Sequence, residues 1–416
     1  MKTTALRMYG ANDLRLETFE LPQLGEDEVL MKVVSDSLCT STYKAVKQGS
    51  AHKRVPPDIA EKPVIIGHEM CGEIVAVGSK AGDWKEGQKV VIQPALKLES
   101  GYDPGYSYPY IGGAATYVIV PRIVLERGCL LPFEGDSFFK GSLVEALGCI
   151  LRGYKGFYHT DYETYIRIDG ARKGGKLAIL GGAGPMGIGA VEMALGYAGV
   201  SQVVVTDLSA DRLAYAEAKC TVENAASKGC KLTYLNTSNL ENPVKTLLEL
   251  SEGGFDDVFV MVPVPGLFTM AEAICRTDGC INFFAGPAVH ELQGSLNLYR
   301  VHYDGIHVVG TAGSIPQDTV DTIGLIEQDA VNPGALVSHI LGLGAVADAI
   351  YAMEKPNGAK KVCYSHLDLP LIAIDDLEAL GKDNALYAAL ARIVKENGGL
   401  WCAEAERYLL ANGPKL

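Results

Sequence analysis

Short apolar runs separated by glycine and proline fill roughly the first 120 residues: Val29–Val34, Glu73–Val77, Lys89–Ile92 and Ala115–Val120. Runs of this length, bounded by turn residues, predict an antiparallel β-rich barrel, and helix signals there are few. The period changes near Leu143. Leu143, Ala146, Leu147, Ile150, Leu151 and Tyr154 recur at helical spacing and predict a long connecting helix. Beyond it, Lys176–Leu180 reads as a short apolar strand, Gly187–Tyr197 as a helix and Gln202–Thr206 as a second strand, one β-α-β unit. Asp257–Val262 and Cys280–Ala285 repeat the strand signal around a helix candidate, Phe268–Arg276, as a doubly wound parallel sheet does. From about Gly310 the pattern mixes helix and strand up to Lys361–Tyr364. Three amphipathic helices, Leu377–Leu380, Leu386–Val394 and Ala403–Leu410, follow, broken at Gly381 and Gly398-Gly399. The expected organisation is α/β: a β-rich domain of residues 1–155 and 311–365, a doubly wound domain of 156–310, and a helical C-terminal extension of 366–416.

A chain of 416 residues with 48% hydrophobic content buries a sizeable core and fits two or three domains. Its formal charge of −13 disfavours a nucleic-acid partner, because no broad basic excess is available to neutralise phosphates. The N-terminal MKTTALRMYG has no apolar core suited to a signal peptide, and no stretch approaches eighteen uninterrupted apolar residues. A cytoplasmic protein without membrane partners is the expectation. Ten cysteines at irregular spacing read as buried thiols plus a metal ligand in reducing surroundings. Cys220, Cys230, Cys275 and Cys280 lack nearby histidine and zinc-motif spacing, and are expected to be ordinary core or surface thiols.

Gly182-Ala183-Gly184-Pro185-Met186-Gly187 follows the strand Lys176–Leu180, opens a helix, and precedes Asp207 at the end of the next strand. That context makes a GxGxxG a dinucleotide fingerprint. Gly182 is expected to allow the tight turn, Gly184 the approach of the pyrophosphate, and Gly187 close helix–strand packing, with the phosphates at the helix N-terminus. Asp207 accepts ribose hydroxyls and repels a 2′-phosphate, which favours NAD. Arg212, five residues on, softens that penalty and keeps NADP open.

Cys39 and the run Gly67-His68-Glu69 offer a thiolate, an imidazole and a carboxylate, all zinc-type ligands. Adjacent residues on an extended strand point to opposite faces, so His68 and Glu69 share a metal only through a local kink. Glu145, on the connecting helix, competes with Glu69 for the third place. Zinc beside a nicotinamide site points to alcohol or polyol oxidation and reduction, in which the metal holds the oxygen while the cofactor exchanges hydride with the carbon.

Cys39, Gly67-His68-Glu69, Glu145, the Gly182–Gly187 fingerprint and Asp207 together resemble the zinc-dependent medium-chain dehydrogenases, especially the polyol and sorbitol branch, over roughly residues 1–365. The resemblance implies a GroES-like catalytic domain, a Rossmann domain and one catalytic zinc held by Cys39, His68 and either Glu69 or Glu145. It further implies a proton-relaying hydroxyl at Ser41, and dimers or tetramers. Relatives often carry four closely spaced cysteines for a structural zinc. Between Gln93 and Tyr117 this chain has none, and offers Tyr102-Asp103-Pro104-Gly105-Tyr106-Ser107-Tyr108-Pro109-Tyr110 instead, so no structural zinc is expected. Where relatives have Cys-Gly-Ser-Asp and Glu-Pro, it has Cys39-Thr40-Ser41-Thr42 and Glu145-Ala146. The aspartate that orients the metal-binding histidine in relatives is therefore missing, and support has to come from elsewhere.

Lys44, Lys47, His52, Lys53 and Arg54 form the densest basic patch of an acidic chain, with no acid from Lys44 through Pro57. A loop flanked by two ligand candidates lies near the substrate, and such a charge reversal suits a phosphorylated sugar held by Lys44, Lys53 and Arg54. The Tyr-Pro-Gly replacement, Glu145-Ala146 and the added C-terminal helices look most like the L-sorbose 1-phosphate reductases. This implies reduction of L-sorbose 1-phosphate to D-glucitol 6-phosphate. Two alternatives stand beside it: an unphosphorylated polyol or threonine-type dehydrogenase, and an NAD-responsive binding protein without catalysis.

Overall fold

The computed structural model describes residues 1–287, 289–354 and 358–416. They form two compact units, one of Met1–Ala146, Ile315–Glu327 and Val337–Leu416, the other of Leu147–Ser314 and Gln328–Leu336. The helix Val144–Gly156 runs across the division in the sequence.

The first unit is built on a sheet whose strands lie in the order Ile372–Ala373, Val337–Gly342, Lys360–Tyr364, Val29–Ser37, Met70–Val77, Lys89–Ile92 and Leu130–Pro132, with Tyr117–Val120 also paired to Val29–Ser37. Val29, Met31, Val33, Val90, Val118 and Val120 are fully buried there, as apolar runs of β-branched residues should be. In a second, three-stranded sheet, only Val64–Ile65 falls in an apolar run of the sequence, Val64–Ile66. Lys2–Gly10 pairs antiparallel with Asp13–Glu20 and with Val64–Ile65. Asp13–Glu20 is largely polar and half exposed, so pairing, not an apolar run, defines it. Residues of the C-terminal segment belong to this same unit. Trp401 is buried and its Nε1 donates to Tyr364 Oη at 2.8 Å, while Glu406 is buried on the helix Ala403–Asn412.

The second unit carries a six-stranded parallel sheet in the order Lys231–Asn236, Gln202–Asp207, Lys176–Leu180, Phe255–Val260, Cys275–Phe283 and His307–Gly310. The strand order reverses beside Lys176–Leu180, which places the end of that strand at a topological switch point, where open α/β sheets bind ligands. Leu177–Leu180 and Val203–Val205 are fully buried, the near-continuous apolar signature of parallel strands covered on both faces. The expected strand Cys280–Ala285 begins earlier, at Cys275, and the expected helix Phe268–Arg276 is Pro265–Ile274. Proline at its first turn, where a missing N–H costs nothing, sets the start. All ten cysteines are free thiols, and Cys220, Cys230, Cys275 and Cys280 are buried. Among the described residues, no helix is long and apolar enough to cross a membrane.

Candidate metal and cofactor sites

Two breaks in the first unit bring the metal-type donors together. Cys39 sits at the N-terminus of the helix Thr40–Gln48, immediately after the strand Val29–Ser37. This helix is absent from the sequence expectation because Thr40-Ser41-Thr42 are weak helix formers; burial of Thr42, Ala45 and Val46 holds it in place. His68 and Glu69 fall between the strands Val64–Ile65 and Met70–Val77, after Gly67 at φ +90°. The rule that neighbours face opposite sides applies to extended strand, and this stretch is not one. Donor atoms of Cys39, His68 and Glu69 lie within 4.8 Å of one another. Gly67 is required for a second reason: a Cβ there would stand 2.4 Å from Asp36 Oδ2.

Each donor has a defined partner. Thr42 Oγ1 is 3.1 Å from His68 Nδ1, which leaves Nε2 turned toward Ser41 Oγ at 3.3 Å and Tyr106 Oη at 3.3 Å. Burial lowers the His68 pKa to about 4, so the ring is neutral and keeps a lone pair for a cation. Ser41 Oγ donates to Cys39 Sγ at 3.0 Å and accepts from Tyr106 Oη at 2.9 Å. Burial pushes the Cys39 thiol up to about 12, so metal binding here releases a proton. Burial alone would raise the Glu69 carboxyl as well, but the Lys360 ammonium, with Nζ at 2.5 and 2.6 Å from its two oxygens, outweighs it and holds the group below its ordinary value. Lys360 itself is 4% exposed. Asp36 Oδ1 accepts the Glu69 backbone N–H at 3.1 Å.

Glu145 lies in the first turn of the helix Val144–Gly156. Its charge acts on Cys39, Arg54, Tyr106 and Lys360, so it stands near the cluster, but the three mutually close donors are those of Cys39, His68 and Glu69. A soft thiolate, an imidazole and a carboxylate this close together suit zinc, and three protein donors leave the fourth position of a tetrahedron for a substrate oxygen.

The basic patch is only partly a loop. Lys44 and Lys47 ride on the helix Thr40–Gln48, and His52, Lys53 and Arg54 follow it. Lys44, Lys53 and Arg54 all act on His52, whose pKa is lowered by burial and by these three cations. Arg54 Nε is paired with Asp103 Oδ2 at 3.0 Å, and its guanidinium lies over the Tyr106 ring, 5.0 Å from the centroid. Lys53 is exposed. Thr42, Asp103, Tyr106 and Lys360 are absent from the sequence-derived site; no ligand motif marks them, since each acts through a contact made only in the fold.

In the second unit the fingerprint forms the turn between the strand Lys176–Leu180 and the helix Pro185–Met193. The left-handed conformation in this turn falls on Gly181, φ +68°. Gly182 is needed for space: a Cβ would meet Ile179 Cγ2 at 2.5 Å. A Cβ on Gly187 would stand 1.9 Å from Gly182 O, whereas Gly184, at the helix N-cap, has nothing within 4 Å of that position. This open backbone, ahead of Pro185 and Met186, is the cradle a pyrophosphate requires. Asp207 ends the strand Gln202–Asp207 and its Oδ1 accepts the Ser209 N–H at 3.1 Å. Arg212 is exposed on the helix Ala210–Lys219.

Comparison with known proteins identifies the family. Residues 25–127 match the alcohol dehydrogenase GroES-like domain and residues 185–328 the zinc-binding dehydrogenase family. The chain is 43% identical to the mannitol-1-phosphate 5-dehydrogenase of Aliivibrio fischeri, covering 98% of this chain and 97% of that protein. It is likewise 43% identical to the L-sorbose 1-phosphate reductase of Klebsiella pneumoniae, covering 99% of this chain and 98% of the relative. The crystal structure of 2R,3R-butanediol dehydrogenase from Bacillus subtilis shares the fold, with a TM-score of 0.72 at 22% identity, over 87% of this chain and 99% of that one. The chain therefore belongs to the zinc-dependent medium-chain dehydrogenase family, in its polyol dehydrogenase branch.

Proposed function

We propose that the chain is a zinc-dependent NAD(P)H oxidoreductase that reduces a phosphorylated ketose, with L-sorbose 1-phosphate going to D-glucitol 6-phosphate as the leading substrate pair. The carrying observation is the Cys39, His68 and Glu69 cluster, its histidine and glutamate buried, in the same unit as the basic residues gathered around His52. Two full-length relatives whose names specify a polyol or ketose monophosphate support the substrate class.

In this reading Cys39, His68 and Glu69 hold one zinc, with Glu145 as the rival third donor, and Gly184 to Gly187 with Asp207 hold the dinucleotide. When bound, zinc supplies polarisation of the substrate oxygen, and the reduced nicotinamide supplies the hydride. The chain's own residues do the rest. Thr42 fixes the His68 tautomer by accepting from Nδ1–H, so that Nε2 keeps its lone pair. Lys360 balances the buried Glu69 carboxylate. Ser41 Oγ relays a proton to the substrate oxygen as the carbonyl carbon takes the hydride, and recovers its own from solvent through the ribose hydroxyls of the dinucleotide, giving the neutral alcohol. Lys44, Lys53 and Arg54 attract the phosphate. Asp207 takes the ribose hydroxyls and selects NAD over NADP, with Arg212 moderating the choice. One zinc per chain follows, since the tyrosine segment 102–110 contains no thiol.

A reading in which the substrate is an unphosphorylated polyol draws support from Arg54, whose charge is already engaged by Asp103. Homo-oligomers, dimers or tetramers, are supported within the second unit by the exposed Tyr162, Tyr165, Ile166, Ile168, Tyr299 and Tyr303 and by the edge strand His307–Gly310.

The test is Cys39→Ala, with zinc counted by elemental analysis, NADH binding followed by fluorescence, and turnover assayed together. Zinc and turnover are lost while NADH binding stays; an active, metal-free variant would sink the reading.

A further inference from the structure

Tyr106 lies in the tyrosine segment that stands where relatives often carry a structural zinc lobe, and it is 1% exposed. A buried phenol needs partners for its hydroxyl. Tyr106 Oη donates to Ser41 Oγ at 2.9 Å and sits 3.3 Å from His68 Nε2. Ser41 in turn donates to Cys39 Sγ at 3.0 Å, so the hydroxyls form a directed chain. Arg54, in the basic patch, bears on both the hydroxyl and the ring of Tyr106. The Tyr106 ring carries the Arg54 guanidinium at 5.0 Å, Asp103 takes Arg54 Nε at 3.0 Å, and Ser107 Oγ donates to the Arg54 backbone carbonyl at 2.6 Å. Three residues of one short segment therefore clamp Arg54, and the middle one also touches Ser41.

We propose that Tyr106 is a positioning residue that joins anion recognition to proton transfer: its hydroxyl anchors Ser41 Oγ, and its ring places Arg54 for the substrate phosphate. This rests on the phosphorylated-ketose reading above. With one Ser41 lone pair occupied by Tyr106, the Ser41 proton turns between Cys39 Sγ and a substrate oxygen without losing its anchor. The segment that replaces the cysteine lobe is thereby part of the reaction site.

Two substitutions separate the hydroxyl from the ring. Tyr106→Phe keeps the ring and removes the hydroxyl: kcat for the phosphorylated ketose falls roughly 3- to 10-fold, the factor for one lost hydrogen bond, while KM rises less than in Tyr106→Leu. Tyr106→Leu removes both: kcat falls similarly, and KM for the phosphorylated ketose also rises roughly 3- to 10-fold, as expected for a lost cation–π contact. Zinc content is measured on both, and the dissociation constant of inorganic phosphate is measured by calorimetry without cofactor. Zinc stays at the parent level in both variants, and phosphate binding weakens more in Tyr106→Leu than in Tyr106→Phe. Unchanged kcat in Tyr106→Phe, loss of zinc from it, or unchanged phosphate binding in Tyr106→Leu overturns the proposal. Failure of the parent enzyme to prefer phosphorylated ketoses overturns the substrate reading instead, and the Tyr106→Phe kcat then still tests the Ser41 anchor on whichever substrate is turned over.

Discussion

Thr42 Oγ1 stands 3.1 Å from His68 Nδ1, so a neutral hydroxyl occupies the place where relatives carry an aspartate. Partners that fix a ligating imidazole are worth about 10- to 100-fold in metal affinity. Thr42→Val, which keeps the shape and removes the hydroxyl, is expected to weaken zinc by about that factor in chelator competition, whereas Thr42→Ser retains it. Equal zinc affinity in Thr42→Val would show that His68 needs no orienting partner here.

Lys360 and Glu69 form a buried ion pair whose partners are 4% and 1% exposed. Removing one partner leaves an uncompensated charge, which costs about 3–5 kcal/mol. Lys360→Met should lower the stability of zinc-free protein by about that amount, read from urea unfolding. The loss should be smaller with zinc bound, because the cation then balances Glu69. An equal loss with and without zinc would mean that the metal does not use this carboxylate.

Glu406 anchors the C-terminal helix Ala403–Asn412 to the rest of its unit. Its oxygens accept the Phe138 and Phe139 N–H groups at 2.6 and 2.7 Å and the Tyr364 hydroxyl at 3.1 Å. Burial nevertheless raises its pKa from 4.5 to about 7. The folded chain then holds this proton more tightly than the unfolded one. The contribution to stability is complete below about pH 4.5 and is lost as pH rises through about 7, by at most about 3 kcal/mol. Glu406→Gln should remove that slope from the pH profile of unfolding. Since an amide has one acceptor oxygen for two N–H groups, it should also cost about 1–3 kcal/mol at low pH.

Asp207 ends its strand beside the cradle left open at Gly184. A like-charge contact with a 2′-phosphate at about 4 Å is worth at most on the order of 4 kcal/mol. Asp207→Ser is expected to raise the NADPH/NADH ratio of kcat/KM at least about tenfold, within that ceiling. An unchanged ratio would assign cofactor choice to other residues.

The parallel sheet was legible because buried strands are contiguous apolar runs, and Lys176–Leu180 is found with the bounds that its pattern predicts. Asp13–Glu20 was not, because it is half exposed and its register comes from pairing with Lys2–Gly10. The donors Cys39, His68 and Glu69 were legible as residue types. Their proximity was not, because it depends on the left-handed Gly67, which breaks the strand periodicity from which the conflict between His68 and Glu69 was drawn. Lys360 was invisible for a simpler reason: it lies far along the chain from Glu69, and strand pairing of Lys360–Tyr364 with Val29–Ser37 brings it back. The same holds for the turn glycine, where a run of two adjacent glycines does not reveal that Gly181 takes the positive φ.

The central claim is that zinc-loaded protein reduces a phosphorylated ketose. It is tested most directly by steady-state rates with NADH and with NADPH against L-sorbose 1-phosphate and free L-sorbose, on protein whose zinc has been counted. The account predicts one zinc per chain, preference for NADH, and a kcat/KM for the phosphorylated ketose at least about tenfold above the free sugar, the factor for a single charge-assisted contact. Equal or better turnover of the free sugar, or turnover without zinc, would contradict it.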